Sequence, residues 1–340
     1  MLERTFSSDV CNPQMTTLAR VTPSVRRTSN IDIAFADEGA LKLTGACRDL
    51  RTAGVTETLG FGQLQADLDH SHVLQQLHVS GSGGFDTGLV DELVGCLVGA
   101  GFRCRVAAAM ADAETTPLFV LLDELPVAAL ISGYARMYRG EFAEQGIDRS
   151  LIKADICSGW RSDGHMVVSI RRHGQMPIPL GPAAPELLAV GDSLGWHEIQ
   201  PLAAGSMRRR RLLDVSRSEA ESIDTEANGH LNVFAMFRDT HVDASDGVER
   251  VLHEYSFTAT INPRHLTMHS CVATPQVLPW NECPDAANSA QRLDGQPIAA
   301  LRELVRRDFR GLGTCTHLND LLRSLGDLAG LAAQLDSSGR

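Results

Sequence analysis

The sequence is poor in aromatic residues and in lysine. Aromatic side chains make up 5% of its 340 residues, so a core must be built mainly from Leu, Val, Ala and Ile. Lysine occurs only at Lys42 and Lys153, and arginine supplies every other basic side chain. The hydrophobic content of 43% is still enough for a sizeable core, and the length favours about two domains.

A basic electrostatic field is also missing. The formal net charge is −11, whereas a non-specific nucleic-acid binder must neutralise phosphates. We therefore predict no nucleic-acid partner. The one basic run spans Arg208 to Arg211. Because short charge runs are usually solvated, we interpret it as the exposed entry to a strand, with a phosphate-binding grip as the alternative.

Export and membrane signals are absent as well. The N-terminal stretch MLERTFSSDVCNPQ has no hydrophobic region of a signal peptide, and no apolar run reaches the length of a membrane span. The eight cysteines show no disulfide-scaffold spacing. These observations predict a cytoplasmic protein with reduced thiols and no membrane partner.

Two halves of the chain resemble each other weakly. RRTSNIDI (26–33) is similar to RRRRLLDV (208–215), and LKLTGACRDL (41–50) is similar to LNVFAMFRDT (231–240). Further along, leucines match at a constant offset of 200. The matched pairs are Leu118 and Leu318, Leu121 and Leu321, Leu122 and Leu322, Leu125 and Leu325. Their collinear order predicts a tandem duplication.

Each predicted unit starts with strands and ends with helices. Alternating apolar residues predict strands at Ile31–Ala34, Leu41–Ala46, Gln63–Leu68, Val73–Val79, Leu231–Phe237, Glu254–Ile261 and Leu266–Ala273. Helical spacing predicts helices at 88–101, 285–293, 297–309 and about 316–335. This order indicates an α+β fold in which each repeated unit has an antiparallel sheet followed by helices.

The repeat gives provisional domain boundaries. We predict an N-terminal tail (1–25), a degenerate structural unit (26–133), a connecting segment rich in Gly and Pro (134–207) and a second unit with the candidate site (208–335). An Arg-Asp pair closes a strand in both units, at residues 48–49 and 238–239. This recurrence predicts a structural ion pair within each dipeptide.

The two units differ in the residues that could carry chemistry. The second unit has His253, Glu254, Cys283, Cys315 and His317 where the first has inert residues. The matched positions in the first unit are Gly60, Phe61, Gly83, Thr115 and Pro117. A duplicated protein with such a difference is expected to keep its site in the second unit.

Thiolates and imidazoles are ligands for zinc and iron, so Cys283, Cys315 and His317 are predicted metal ligands. His253 and Glu254 are predicted catalytic acid–base residues. The alternative is purely structural: buried cysteines, a hydrogen-bonded histidine, and a helix capped by a neighbouring threonine. Further possible site residues lie in the connecting segment: Asp155, Cys157, His165 and His197.

Several stretches resemble one known family. They include LTGACRDLRT, ADICSGW, FRDTHVD, LPWNECPDAANSAQRL and TCTHLNDLLRSL. From about Arg26 to Leu335 the chain is similar to an actinobacterial branch of the domain-of-unknown-function family 2889, which implies no activity.

A fainter resemblance links the second unit to NifU-like iron–sulfur scaffold proteins. Cys283, Gly295 and Cys315 stand near the second cysteine, the glycine and the third cysteine of that pattern. Leu252 occupies the place of the first cysteine, so one ligand of the pattern is missing.

Two functions follow as expectations. The first is an enzyme of small-molecule catabolism, acting on acyl or aromatic compounds, such as a thioester hydrolase or another hydrolase, with zinc or iron as its cofactor. The second is a metal- or iron–sulfur-binding protein without turnover of its own.

Overall fold

The fold is built on one continuous antiparallel sheet. A computed structural model describes residues 4–5, 8–141, 153–174, 176–217 and 229–335. The sheet has eight strands: β1 (Ser24–Phe35), β2 (Leu41–Ala53), β3 (Val55–Leu68), β4 (Leu74–Gly81), β5 (Met207–Arg217), β6 (Leu231–Val242), β7 (Glu249–Asn262) and β8 (Thr267–Val277). Their spatial order is β8-β7-β6-β5-β1-β2-β3-β4. The predicted strands all lie on these eight, and the α+β fold class is confirmed.

The strand order is symmetric about the centre of the sheet. Each half of the chain contributes four consecutive strands, and the two sets meet where β1 pairs with β5. Two ion pairs cross this junction in mirrored positions, Arg26 with Asp214 and Arg208 with Asp32. Both halves thus follow the order of strands and then helices. Their common origin by duplication stays a prediction.

Helices cover one face of the sheet. They are α1 (Thr87–Asp91), α2 (Phe102–Ala109), α3 (Pro117–Tyr138), α4 (His165–His173), α5 (Leu301–Asp308), α6 (Thr316–Ser324) and α7 (Leu328–Leu335). Residues Cys283–Leu293 form 3₁₀ turns. Helix α3 packs on β1 to β5, and α7 packs on β1, β2 and β5. These helices bury the apolar side chains of the strands in two neighbouring core clusters.

Helix α3 contradicts the prediction that no apolar run reaches the length of a membrane span. It has 22 residues and a mean hydropathy of 1.6 in its most apolar window, which is long and apolar enough to cross a membrane. However, 78% of that window is buried inside the protein. Its composition is therefore that of a core helix, started by the Thr116 cap and by Pro117 in the first turn.

Other helix predictions need smaller corrections. The predicted helix at 88–101 is only one turn, since α1 ends at Asp91 and turns follow. The predicted last helix is split into α6 and α7 by 3₁₀ residues Leu325–Asp327. The predicted end of the first unit, residue 133, falls inside α3.

The connecting segment is more than a linker. Met166, Val167 and Ile170 of α4 are buried in the core of the second unit. Farther along, Leu187 and Trp196 pack on the opposite face of the sheet, against Leu212 and other residues. Both parts of the connecting segment are packed against the rest of the protein, although the high Gly and Pro content had indicated only a linker.

The arginine run is buried, and both sequence interpretations of it are wrong. Arg208, Arg209 and Arg211 are at most 4% exposed, and each has a carboxylate partner. The run lies on the central strand β5, where Arg208, Arg209 and Arg211 each pair with an acidic residue of a neighbouring element. The guanidinium groups of these three arginines are therefore engaged inside the protein and are not exposed to solvent or to a phosphate.

The predicted ion pairs within the Arg-Asp dipeptides are also wrong. Consecutive strand residues point to opposite faces of the sheet, so such neighbours cannot pair. Asp49 instead binds Arg27, and Asp239 binds Arg209. These two pairs occupy equivalent positions in the two halves.

Candidate functional site

The candidate site begins with His253 on β7. His253 lies directly opposite Asp239 of β6, and Asp239 lies opposite Arg209 of β5. Direct cross-strand neighbours share a face, so all three side chains point toward the helices. Aromatic rings surround the imidazole: the Phe237 centroid is 5.5 Å away and the Tyr255 centroid 5.9 Å away.

The start of α6 brings two more ligand groups to His253. Cys315 immediately precedes the helix, and its Sγ is 3.8 Å from His253 Nε2. His317, in the first turn, has its ring centroid 4.2 Å from that of His253. One ligand atom from each of His253, Cys315 and His317 lies within 4.8 Å of the other two. The tertiary fold thus joins residues more than 60 positions apart.

Two imidazole nitrogens in this cluster lack hydrogen-bond partners. Among the residues that the structure describes, none bonds to His253 Nδ1 or to His317 Nε2, and both atoms are buried. His253 is 1% exposed and His317 is 9% exposed. A buried polar group without a partner costs roughly 1–3 kcal/mol. An ion held between the side chains would remove part of that cost.

Burial sets the protonation states of the three groups. It lowers the pKa of His317 to about 3, with the Arg209 charge acting in the same direction. The pKa of His253 also lies well below its usual value, because of burial, His317 and Arg209. Burial raises the pKa of the Cys315 thiol to about 12, although the backbone N–H groups of Leu318 and His317 oppose it. Near neutral pH, both imidazoles are neutral and the thiol is protonated.

A buried charge network adjoins the cluster. The Arg209 guanidinium binds both Asp239 oxygens at 2.9 Å and lies 4.5 Å from the Phe237 ring centroid. It also contacts Asp320 of α6 at 3.3 Å, and Asp320 in turn binds Arg211. These contacts hold the first turns of α6 against β5 and β6. They therefore position His317 and Cys315 against the sheet.

Glu254, a predicted catalytic residue, does not join His253. As the next residue along β7 it points to the opposite face of the sheet. There its Oε2 accepts a hydrogen bond from Arg238 Nε at 2.6 Å, and its Oε1 accepts one from the Gln14 backbone N–H. A base at Glu254 would act on the other side of the sheet from Cys315 and His317.

Cys283, a predicted metal ligand, lies outside the three-residue group. It is 4% exposed and starts the 3₁₀ segment, and its backbone oxygen accepts a hydrogen bond from the Tyr255 hydroxyl at 3.1 Å. Burial and the neighbouring thiols of Cys315 and Cys157 raise its pKa well above the usual value. Cys283 is therefore near the site but outside the group of ligand atoms. The group contains His253 in place of Cys283, which had been predicted as a ligand.

Sequence reasoning missed Tyr134, a residue of the first half. It lies on α3, and its ring centroid is 6.3 Å from that of His317. Burial raises its pKa, and the nearest thiols add to the effect. The sequence carries no signal for this contact, because Tyr134 belongs to a helix of the other half of the chain.

The equivalent place in the first half is filled by packing. Gly60 on β3 corresponds to His253, and Pro117 at the start of α3 corresponds to His317. A Cβ atom built on Gly60 would lie 3.3 Å from Pro117 Cγ. The first half therefore has the same strand-to-helix contact without ligand groups.

Comparison with known proteins gives a family for the second half. Residues 209–330 match the family model described as "Protein of unknown function (DUF2889)". The second half of this chain is therefore similar to the DUF2889 family over these residues. This supports the resemblance to that family over residues 209–330, and His253, Cys315 and His317 lie inside the matched range. No curated protein matches the chain.

One solved structure, the crystal structure of lipopolysaccharide binding protein, aligns over 82% of each chain. It is 8% identical with a TM-score of 0.12, a value too low to support any argument.

Proposed function

We propose that the DUF2889 domain binds a divalent transition metal, zinc or iron, through His253, Cys315 and His317. The observation that carries this proposal is the grouping of three ligand atoms within 4.8 Å, in a place where two buried imidazole nitrogens have no described partner. Nitrogen and sulfur ligands of this kind suit zinc, and iron accepts them as well.

The electrostatic setting supports a cation with two positive charges. Both imidazoles are neutral and ready to coordinate, and Cys315 becomes an anion when it ligates. The Arg209 charge beside them is balanced by Asp239 and Asp320. These two carboxylates reduce the repulsion that Arg209 exerts on a bound cation.

We favour metal binding without turnover over the hydrolase expectation. Hydrolysis on a metal needs an open coordination position and a base beside it. His253 and Cys315 are almost completely buried, and Glu254 is engaged with Arg238 on the other face. A small-molecule substrate is expected only under the alternative, in which the protein is a hydrolase. All eight cysteines are free thiols, and we propose a reducing compartment, the cytoplasm.

The test is metal content and affinity of the full chain. Protein purified without chelator is expected to hold one zinc or iron per chain, and chelator-treated protein is expected to rebind one equivalent. His317→Ala and Cys315→Ser should each lower the affinity by at least tenfold. His197→Ala is a matched control, because His197 is as buried as His317 but lies on the opposite sheet face. Binding that survives both site substitutions would refute the proposal.

A further inference from the structure

A fourth potential ligand, Cys157, lies beside the three-residue group. It belongs to the connecting segment, outside the DUF2889 match, and it is 7% exposed. Burial raises the pKa of its thiol, and the backbone N–H groups of Trp160, Gly159 and Thr316 oppose that shift. Thr316 is the first residue of α6, so the Cys157 sulfur lies at the same helix start as Cys315.

The first turn of α6 thus faces two sulfur atoms. The N–H of Thr316 lowers the pKa of Cys157, and the N–H groups of His317 and Leu318 lower that of Cys315, although burial outweighs both effects. Free N–H groups at a helix start stabilise negative charge, and they favour thiolate over thiol. The Ser158 N–H bond to the Thr314 carbonyl places the backbone of Cys157 beside that of Cys315.

The backbone around Cys157 is fixed to the second half. The Ser158 N–H donates to the Thr314 carbonyl at 2.9 Å, next to Cys315. Gly159 packs so tightly that a Cβ atom there would lie 2.7 Å from Cys283 Sγ and 3.1 Å from the Trp280 ring. This contact requires glycine at 159 and keeps Cys157 at the start of α6.

A metal ion bound to His253, Cys315 and His317 would have one coordination position without a protein ligand. Zinc in non-catalytic sites takes four ligands in a tetrahedron, and two cysteines with two histidines form a common set. Cys157 Sγ is not among the atoms within 4.8 Å of one another. Rotation about the Cα–Cβ bond of Cys157 is the movement that its ligation requires.

We infer that Cys157 is the fourth ligand, so that the connecting segment closes a four-coordinate site with His253, Cys315 and His317. This inference rests on the metal site proposed above. The inference gives the connecting segment a structural role, because a bound metal ion would attach the residues around Cys157 to the DUF2889 domain. It also predicts a closed, structural or storage site without an exchangeable water position.

Cobalt(II) titration of the full chain tests the inference. Thiolate-to-cobalt charge-transfer absorption in the near ultraviolet grows roughly in proportion to the number of bound thiolates. Two thiolates are expected in the wild type, and Cys157→Ser should about halve the absorption and weaken binding by at least about tenfold. Cys283→Ser is the matched control, a buried cysteine of the same core whose substitution should leave the spectrum unchanged.

The outcomes separate the two proposals. If cobalt binds with the same thiolate absorption in the wild type and in Cys157→Ser, the fourth ligand is wrong while the three-residue site stands. If no cobalt binds to the wild type, the metal site itself is wrong. X-ray absorption of the zinc-loaded wild type gives a test that needs no variant. It should show two sulfur neighbours at about 2.3 Å, and a single sulfur neighbour would overturn the inference.

Discussion

The buried Arg209 can be removed to test how the fold holds α6 in place. Arg209→Met keeps an unbranched apolar stem, although a shorter one, and deletes the charge. Arg209 is 0% exposed, binds both Asp239 oxygens at 2.9 Å and contacts Asp320 at 3.3 Å. Breaking a buried pair by removing one partner costs about 3–5 kcal/mol, because it leaves a buried charge uncompensated.

The remaining acid explains why the expected loss is large. Burial already raises the pKa of Asp239 to about 6 in the presence of Arg209. Without Arg209 its pKa should rise further, so that Asp239 takes up a proton near neutral pH. The pKa of Asp320 should stay lower, since Arg211 and Arg103 remain beside it. The free energy of unfolding should therefore fall by about 3–5 kcal/mol, mostly through Asp239.

The assay is urea unfolding of the metal-free protein, with the midpoint and slope read for each variant. Arg306→Met is the control, because Arg306 and its partner Glu303 are 61% and 58% exposed. An exposed pair contributes about 0–1 kcal/mol, so the control should stay near the wild type.

The double variant Arg209→Met with Asp239→Leu should recover stability relative to the single variant, since both buried charges are then absent. A loss below about 1 kcal/mol for Arg209→Met, or a double variant less stable than the single one, would show that the pair is not the restraint described here.

Three further predictions follow from burial and packing. Because burial raises the pKa of both ligand thiols, metal binding should release protons near neutral pH. Calorimetry in two buffers of different ionisation enthalpy should detect them, and Cys315→Ser should release one proton fewer than the wild type. The pKa of His197 is lowered to about 3 in the folded protein, so the unfolded chain binds a proton at this histidine first as the pH falls. Between about pH 6 and pH 4 the free energy of unfolding of the wild type should therefore fall by about 1.4 kcal/mol more per pH unit than that of His197→Gln. Equal slopes for the two proteins in acid unfolding would contradict this. A Cβ added at Gly133 in α3 has no atom within 4 Å, so Gly133→Ala should stabilise the protein by about 0.5–1 kcal/mol. A Cβ added at Gly62 would lie 2.6 Å from the Leu118 backbone nitrogen, so Gly62→Ala should destabilise it. Thermal unfolding that ranks the two variants the other way would contradict the packing argument.

The charges show how far local sequence patterns reach. The run Arg208 to Arg211 looks like a solvated stretch, because sequence alone does not reveal what lies on either side of a strand. In the fold, acidic partners come from β1, β6, α3 and α6. Pairing across such distances depends on topology, which no short window contains.

The candidate site divides in the same way. The difference between the two halves directed attention to His253, Cys315 and His317, which the fold brings together. The alternation of β7 was already enough to separate Glu254 from His253. The choice of His253 over Cys283 beside Cys315 could not be predicted, since it depends on where α6 meets the sheet. Tyr134 and Cys157 come from outside the second half and are placed only by tertiary packing.

The sequence by itself indicated the strands from alternation, part of the helices from leucine spacing, and a family resemblance of the second half from its motifs. These follow from side-chain periodicity, which acts between near neighbours along the chain. Only the tertiary structure decided which side chains meet. The pairing of β1 with β5 and the docking of α6 against β6 bring His253 to Cys315, 62 positions apart, because burying both apolar faces on one sheet leaves a single place for the start of that helix.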